Sequence, residues 1–115
     1  VKGDQRGRTL GFPTANMPLA KRFLPAYGIY VAILETDGVR YPAVASLGIR
    51  PMYESPVPLL ETHVIGASPD LYGKRITVTL YHYLRDEQRF DSEQSLVLQM
   101  ERDRDAALTW LKEYA

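Results

Sequence analysis

The dipeptide Asp37-Gly38 stands between two runs of β-forming residues, Gly28 to Glu35 and Val39 to Leu47. It is a strong hairpin signal, because a tight two-residue turn needs positive φ at both central positions. Glu61 to Ile65 is a further short strand candidate, and Arg75 to Leu84 is the clearest strand. There Ile76, Val78, Leu80, His82 and Leu84 alternate with Arg75, Thr77, Thr79, Tyr81 and Tyr83, which predicts two distinct faces. No helical pattern separates these runs, so the chain is read as antiparallel rather than as a parallel α/β fold. Pro42 is expected at an edge or a bulge, since it cannot donate to a ladder. The one convincing helix comes last. Asp91 is the expected cap, with Gln94 three residues on, and Leu96, Met100, Ala107, Leu108 and Leu111 recur at helical spacing. Asp103 falls beside that stripe and is expected to pair with backbone or an arginine. The fold expected from these runs is a small β-barrel with helical cover.

The length of 115 residues suits one domain, and 45% hydrophobic content with no repeat or linker agrees with that. The absence of cysteine excludes a disulfide scaffold, a thiolate zinc site and a cysteine nucleophile. No apolar run approaches the ~20 residues of a membrane helix, and the opening Val1, Lys2, Gly3 and Asp4 has no apolar leader core. The expectation is a cytoplasmic protein without membrane or nucleic-acid partners. Formal charge is zero, but residues 1 to 25 carry five basic side chains against Asp4 alone. Such a local excess suits either a solvated arm or a segment that holds a few phosphates.

Gly3, Gly7 and Gly11 recur at spacing four around Arg6 and Arg8, and lead into Phe12-Pro13-Thr14-Ala15-Asn16. The pattern is neither a P-loop nor a dinucleotide fingerprint. Glycines let backbone N–H groups approach an anion, and arginines add charge-assisted bonds; a mobile glycine-rich loop has the same composition. Thr14 and Asn16, two apart, offer a hydroxyl and an amide oxygen on one side of an extended segment. These are hard, neutral ligands that could hold Mg²⁺ together with nucleotide phosphates, or could simply form a turn. Glu61 shares a face with His63 and Ile65 and suits either a general base or a strand-end carboxylate. Two histidines, His63 and His82, are too few for a metal site, and His82 reads as a satisfied core or interfacial residue. Arg85, Arg89 and Phe90 follow the strongest strand, where they can clamp a planar ligand or anchor the last helix. Tyr72, in Asp70 to Lys74, is either a packed turn residue or an aromatic wall.

Together, G-x2-R-G-R-x2-G-F-P-T-A-N at 3 to 16, Gly28-Ile-Tyr, S-L-G-I-R-P-M-Y, L-E-T-H at 60 to 63, D-L-Y-G-K at 70 to 74 and L-R-x-E-x-x-F-D-S at 84 to 92 resemble the riboflavin kinase (flavokinase) family. They occur in that family's order across nearly the whole chain. The resemblance implies a mainly β fold, a six-stranded antiparallel Greek-key barrel with a C-terminal helix, over a single domain from 1 to 115. Family members carry residues before Val1 that complete the first strand, so that strand is open to truncation here. The implied activity is transfer of the γ-phosphoryl of ATP to the ribityl 5′-hydroxyl of riboflavin, giving FMN. Thr14 and Asn16 match the positions that hold the Mg²⁺-nucleotide, and Glu61 matches the catalytic carboxylate. Gly3 and Arg8 fall in the loop over the phosphates, Val64 and Tyr72 match positions lining the nucleotide, and Arg85 and Phe90 match the flavin side. Ser46, Met52 and Gly66-Ala67 depart from the usual bacterial pattern. Many bacterial relatives carry an FMN adenylyltransferase domain upstream, a possible covalent partner. Two other readings compete: a non-catalytic flavin- or nucleotide-binding barrel, and a small nucleic-acid-binding barrel that stacks bases on its tyrosines.

Overall fold

The computed structural model describes residues 14–18, 25–50 and 57–114. At the centre is the expected hairpin. Asp37 and Gly38 have φ of 52° and 75°, and join β2 (Gly28–Thr36) to β3 (Val39–Arg50) in antiparallel register from Thr36↔Val39 to Gly28↔Leu47. β1 (Thr14–Pro18), β4 (Val57–Val64) and β5 (Thr77–Arg85) complete one antiparallel sheet, ordered β1-β4-β3-β2-β5. β1 lies beside β4 at the end of a β2-β3-β4 meander, which is the strand order of a Greek key. The described residues hold five strands of a mainly β fold, followed by α1 (Glu93–Tyr114). The expected sixth strand is not among them, and the clipped first strand expected at Val1 lies outside the described residues.

β2 and residues 43–48 of β3 are nearly continuous runs of buried residues because both faces of the sheet are covered there. On one face Tyr30, Ala32, Leu34, Ala43, Ala45, Leu47, Leu60 and Val64 pack under Leu71. On the other, Ile29, Val31 and Val44 meet Ala107, Trp110 and Leu111 of α1. Pro42 belongs to the central strand β3 rather than to an edge of the sheet. Its carbonyl accepts from Ile65 N at 2.8 Å, one residue beyond the end of β4, so its missing N–H falls where the β3–β4 ladder has stopped. β4 begins at Val57, earlier than the expected Glu61. Pro58 pairs with Ile49, one residue after the start of the strand.

The single alternation expected along β5 does not hold. Register shifts against β2 fall between Val31 and Ala32 and between Ile29 and Tyr30. Val78 and Leu80 pack in the Leu34 core, whereas Leu84 packs with Ile29 on the helix side. Tyr81 and His82 both reach Trp110, with His82 stacked on it at 5.2 Å. Each bulge thus turns two consecutive residues toward the helix and coils the strand. Gly28 faces one of them: a Cβ there would lie 2.7 Å from the Arg85 carbonyl, and its φ is +153°.

α1 is capped by Ser92, not Asp91. Ser92 Oγ accepts from Ser95 N at 3.1 Å, the bond an N-cap makes to the third helical residue. The buried side of α1 runs through Asp103 and Ala107 to Trp110 and Leu111, while Leu108, expected in the stripe, is 41% exposed. Asp103 meets the expectation of an arginine partner, and that partner is Arg85.

Candidate functional site

The register places a row of residues across all five strands. Asn16 on β1 lies opposite Glu61 on β4, Glu61 opposite Ser46 on β3, Ser46 opposite Ile29 on β2, and Ile29 opposite Arg85 on β5. A neighbouring row starts with Thr14 and His63. Strand spacing of about 4.8 Å puts Asn16 and Ser46 one step to either side of Glu61, and Arg85 about 14 Å from it along the sheet. Ile29 and Arg85 contact α1, so the row belongs to the helix-bearing face. Glu61 and His63 are half-buried and Ser46 is buried.

Arg85 is the most constrained charge of the row. Its Nε and Nη2 donate to Asp103 Oδ1 at 2.9 Å and Oδ2 at 2.7 Å, a bidentate pair. Gln99 Nε2 gives Asp103 a third donor at 3.0 Å. Arg85 Nη1 donates to the Asp86 carbonyl at 2.8 Å, so one guanidinium ties the end of β5, the following loop and α1 together. Tyr83 donates its hydroxyl to Asp86 Oδ1, and this bond to a carboxylate holds its phenol pKa above the usual value. Phe90 is half-buried, three residues before α1.

The other expected site residues lie elsewhere. Val64 is 2% exposed in the core on the opposite face, so only its main chain is available to a ligand. Tyr72 is 71% exposed on the turn after Leu71, where its N–H donates to Asp70 Oδ1 at 3.1 Å and Gly73 has φ +72°. Gly3 and Arg8 lie outside the described residues. Ser46, Gly48 and Glu87 stand in the quoted motifs, but sequence reasoning gave none of them a site role. Ser46 Oγ donates to Glu87 Oε1 at 3.2 Å, and a Cβ on Gly48 would lie 2.6 Å from Glu87 Cδ. The pairing joins residues 41 apart, and a glycine inside a strand, a sign of close approach, is the local signal that could have found it.

Hydroxyl, amide and carboxylate oxygens are the donors that Mg²⁺ prefers. Thr14, Asn16 and Glu61, residue types that carry such oxygens, occupy neighbouring register positions. Among the described residues there is no group of three or more His, Cys, Asp or Glu that could hold a metal ion. No described helix is long and apolar enough to cross a membrane.

Comparisons with known proteins agree with these motifs. The bifunctional riboflavin kinase/FMN adenylyltransferase of Escherichia coli strain K12 is 43% identical over 104 residues, covering 90% of this chain and 33% of that protein. The protein of the same name from Bacillus subtilis is 33% identical over 114 residues, covering 96% of this chain and 36% of its own length. The chain thus spans about a third of the curated relatives it matches. A crystal structure described as a macrolide-efflux protein from Streptococcus pneumoniae superposes with a TM-score of 0.83 at 35% identity, over 96% of this chain and 36% of that one. The flavokinase family model, described as riboflavin kinase, matches residues 1–111, and the chain belongs to that family.

Proposed function

We propose that the chain transfers the γ-phosphoryl group of ATP to the ribityl 5′-hydroxyl of riboflavin, giving FMN and ADP. The observation that carries the reading is the register row in which Asn16 and Ser46 flank Glu61, in a chain of the flavokinase family. Phosphoryl transfer through a loose transition state asks mainly for alignment and charge neutralisation. Thr14 and Asn16 would hold Mg²⁺ with the nucleotide phosphates, where the ion neutralises charge on the transferring group. Gly3 and Arg8 belong to the loop over the phosphates, Val64 through its main chain and Tyr72 line the nucleotide, and Arg85 and Phe90 form the flavin side. Glu61 orients the primary alcohol and accepts its proton.

The same reading makes the sheet part of a six-stranded barrel. It makes the chain the kinase portion of a longer protein with an upstream FMN adenylyltransferase domain, supported by the third of the Escherichia coli relative that it spans. Soluble substrates suit a cytoplasmic enzyme. The test is riboflavin conversion to FMN, separated by chromatography, with ATP and Mg²⁺ present. Glu61→Gln is expected to lower kcat by about 10²- to 10⁴-fold while leaving riboflavin affinity nearly unchanged. Equal loss of both would count against the base role. Flavin binding without conversion by the wild type would select a non-catalytic barrel.

A further inference from the structure

Glu87 has no part in the chemistry described so far, yet its carboxylate lies beside the row that holds Glu61. Ser46, opposite Glu61, donates to it at 3.2 Å. Two residues further along β3, Gly48 leaves the space that the carboxylate fills, since a Cβ there would fall 2.6 Å from Glu87 Cδ. Gly48 is not among the positive-φ glycines, so the need for glycine here is room rather than backbone conformation. Glu87 is also held from its own segment. The adjacent Asp86 offers its carbonyl to Arg85, which Asp103 fixes bidentately, and its carboxylate to Tyr83.

Direction along the row decides what this carboxylate faces. With the nucleotide phosphates on the Thr14 and Asn16 side of Glu61, the attacking alcohol must enter from the other side for an in-line displacement. The remainder of the acceptor then runs toward Ser46 and Glu87. An ionised carboxylate only accepts hydrogen bonds, and a polyhydroxylated chain presents a series of hydroxyl donors. We infer that Glu87 is a specificity-determining residue, accepting hydrogen bonds from the hydroxyls of the acceptor's polyol chain. The Arg85–Asp103 clamp, acting through Asp86, is its positioning element. This inference rests on the kinase reading for the direction of the row.

The test compares two flavins by fluorescence titration of the full chain: riboflavin, and lumiflavin, which has a methyl group in place of the ribityl chain. In Glu87→Ala, riboflavin is expected to bind about tenfold more weakly, the scale of one lost hydrogen bond to a charged group, with lumiflavin affinity unchanged. Gly48→Ala should reproduce that selective loss with the carboxylate intact but displaced. Thermal melting separates either effect from misfolding. Equal loss for both flavins, or loss for neither, would overturn the inference. Conversion of riboflavin by the wild type is scored separately. Its absence beside a ribityl-selective effect would sink the kinase reading and leave Glu87 as a polyol contact.

Discussion

Arg85 and Asp103 show how much a single charge pair can decide in a small domain. Asp103 has 8% of its side chain exposed and Arg85 22%, so each ion depends on the other for the solvation it has lost. Arg85→Ala leaves a buried carboxylate with Gln99 as its one donor among the described residues, and is expected to cost about 2–3 kcal/mol in urea unfolding. The double change Arg85→Met with Asp103→Leu should recover most of that loss, because two apolar side chains leave no buried charge behind. A double variant as unstable as Arg85→Ala would show that the pair matters for geometry rather than for solvation. That Asp103 would pair with backbone or an arginine was legible in the sequence, from a carboxylate beside an apolar stripe, and the structure decides for the arginine. Its effect on Arg85 was not. The arginine expected to face a flavin has its guanidinium engaged by Asp103 and the Asp86 carbonyl.

Elements formed where a local signal was strong and moved where tertiary packing overrode it. The β2–β3 hairpin was readable because Asp37-Gly38 encodes its turn without help from the rest of the chain. β5 was placed correctly but its faces were not, since a bulge depends on the partner strand and leaves no mark on alternation. Pro56 and Pro58 concealed the start of β4, because a proline in a strand reads locally as a break, whereas Pro58 pairs with Ile49 of β3. The helix cap was misplaced by one residue between two good capping side chains, Asp91 and Ser92, and the bond to Ser95 N decides it. Ser92→Ala should therefore cost about 1 kcal/mol, whereas Asp91→Ala should cost little. Gly28→Ala is expected to cost about 1–3 kcal/mol, because a methyl group would strike the Arg85 carbonyl and the Tyr83 ring in a backbone conformation that disfavours side chains. Chemical denaturation of the three variants checks this ranking, and an Asp91→Ala loss as large as that of Ser92→Ala would reassign the cap.

At the scale of the whole molecule, one sheet is shared by two cores, and tyrosines join the Leu34 core to the loop that follows β5. Tyr30 is 7% exposed in that core, donates to the Ala26 carbonyl at 2.5 Å, and meets the Tyr83 ring edge to face at 5.4 Å. Burial raises the Tyr30 pKa, since the phenolate would lose its hydration. Bonding to Asp86 raises that of Tyr83, since its proton is shared with a carboxylate. Both shifts have the same sign. The native state binds these protons more tightly than the unfolded chain does, so their contribution is complete below the unfolded value of about 10. It is lost as pH rises past that value and through the raised native ones. Lys74, raised by its 2.8 Å ion pair with Asp37, acts in the same direction from an exposed site. Urea unfolding at intervals from pH 8 to 11.5 should show a steady plateau and then a fall that begins near pH 10, while absorbance follows tyrosinate formation. Tyr30→Phe keeps most of the ring packing and removes the titrating group. Its stability should be lower at pH 8, where the bond to Ala26 is missing, and should fall less steeply above pH 10. A Tyr30→Phe curve parallel to the wild type across the whole range would assign the alkaline loss to other groups. A shallower curve would place a proton-dependent tie at the point where the sheet, the segment before β2 and the loop carrying Glu87 converge.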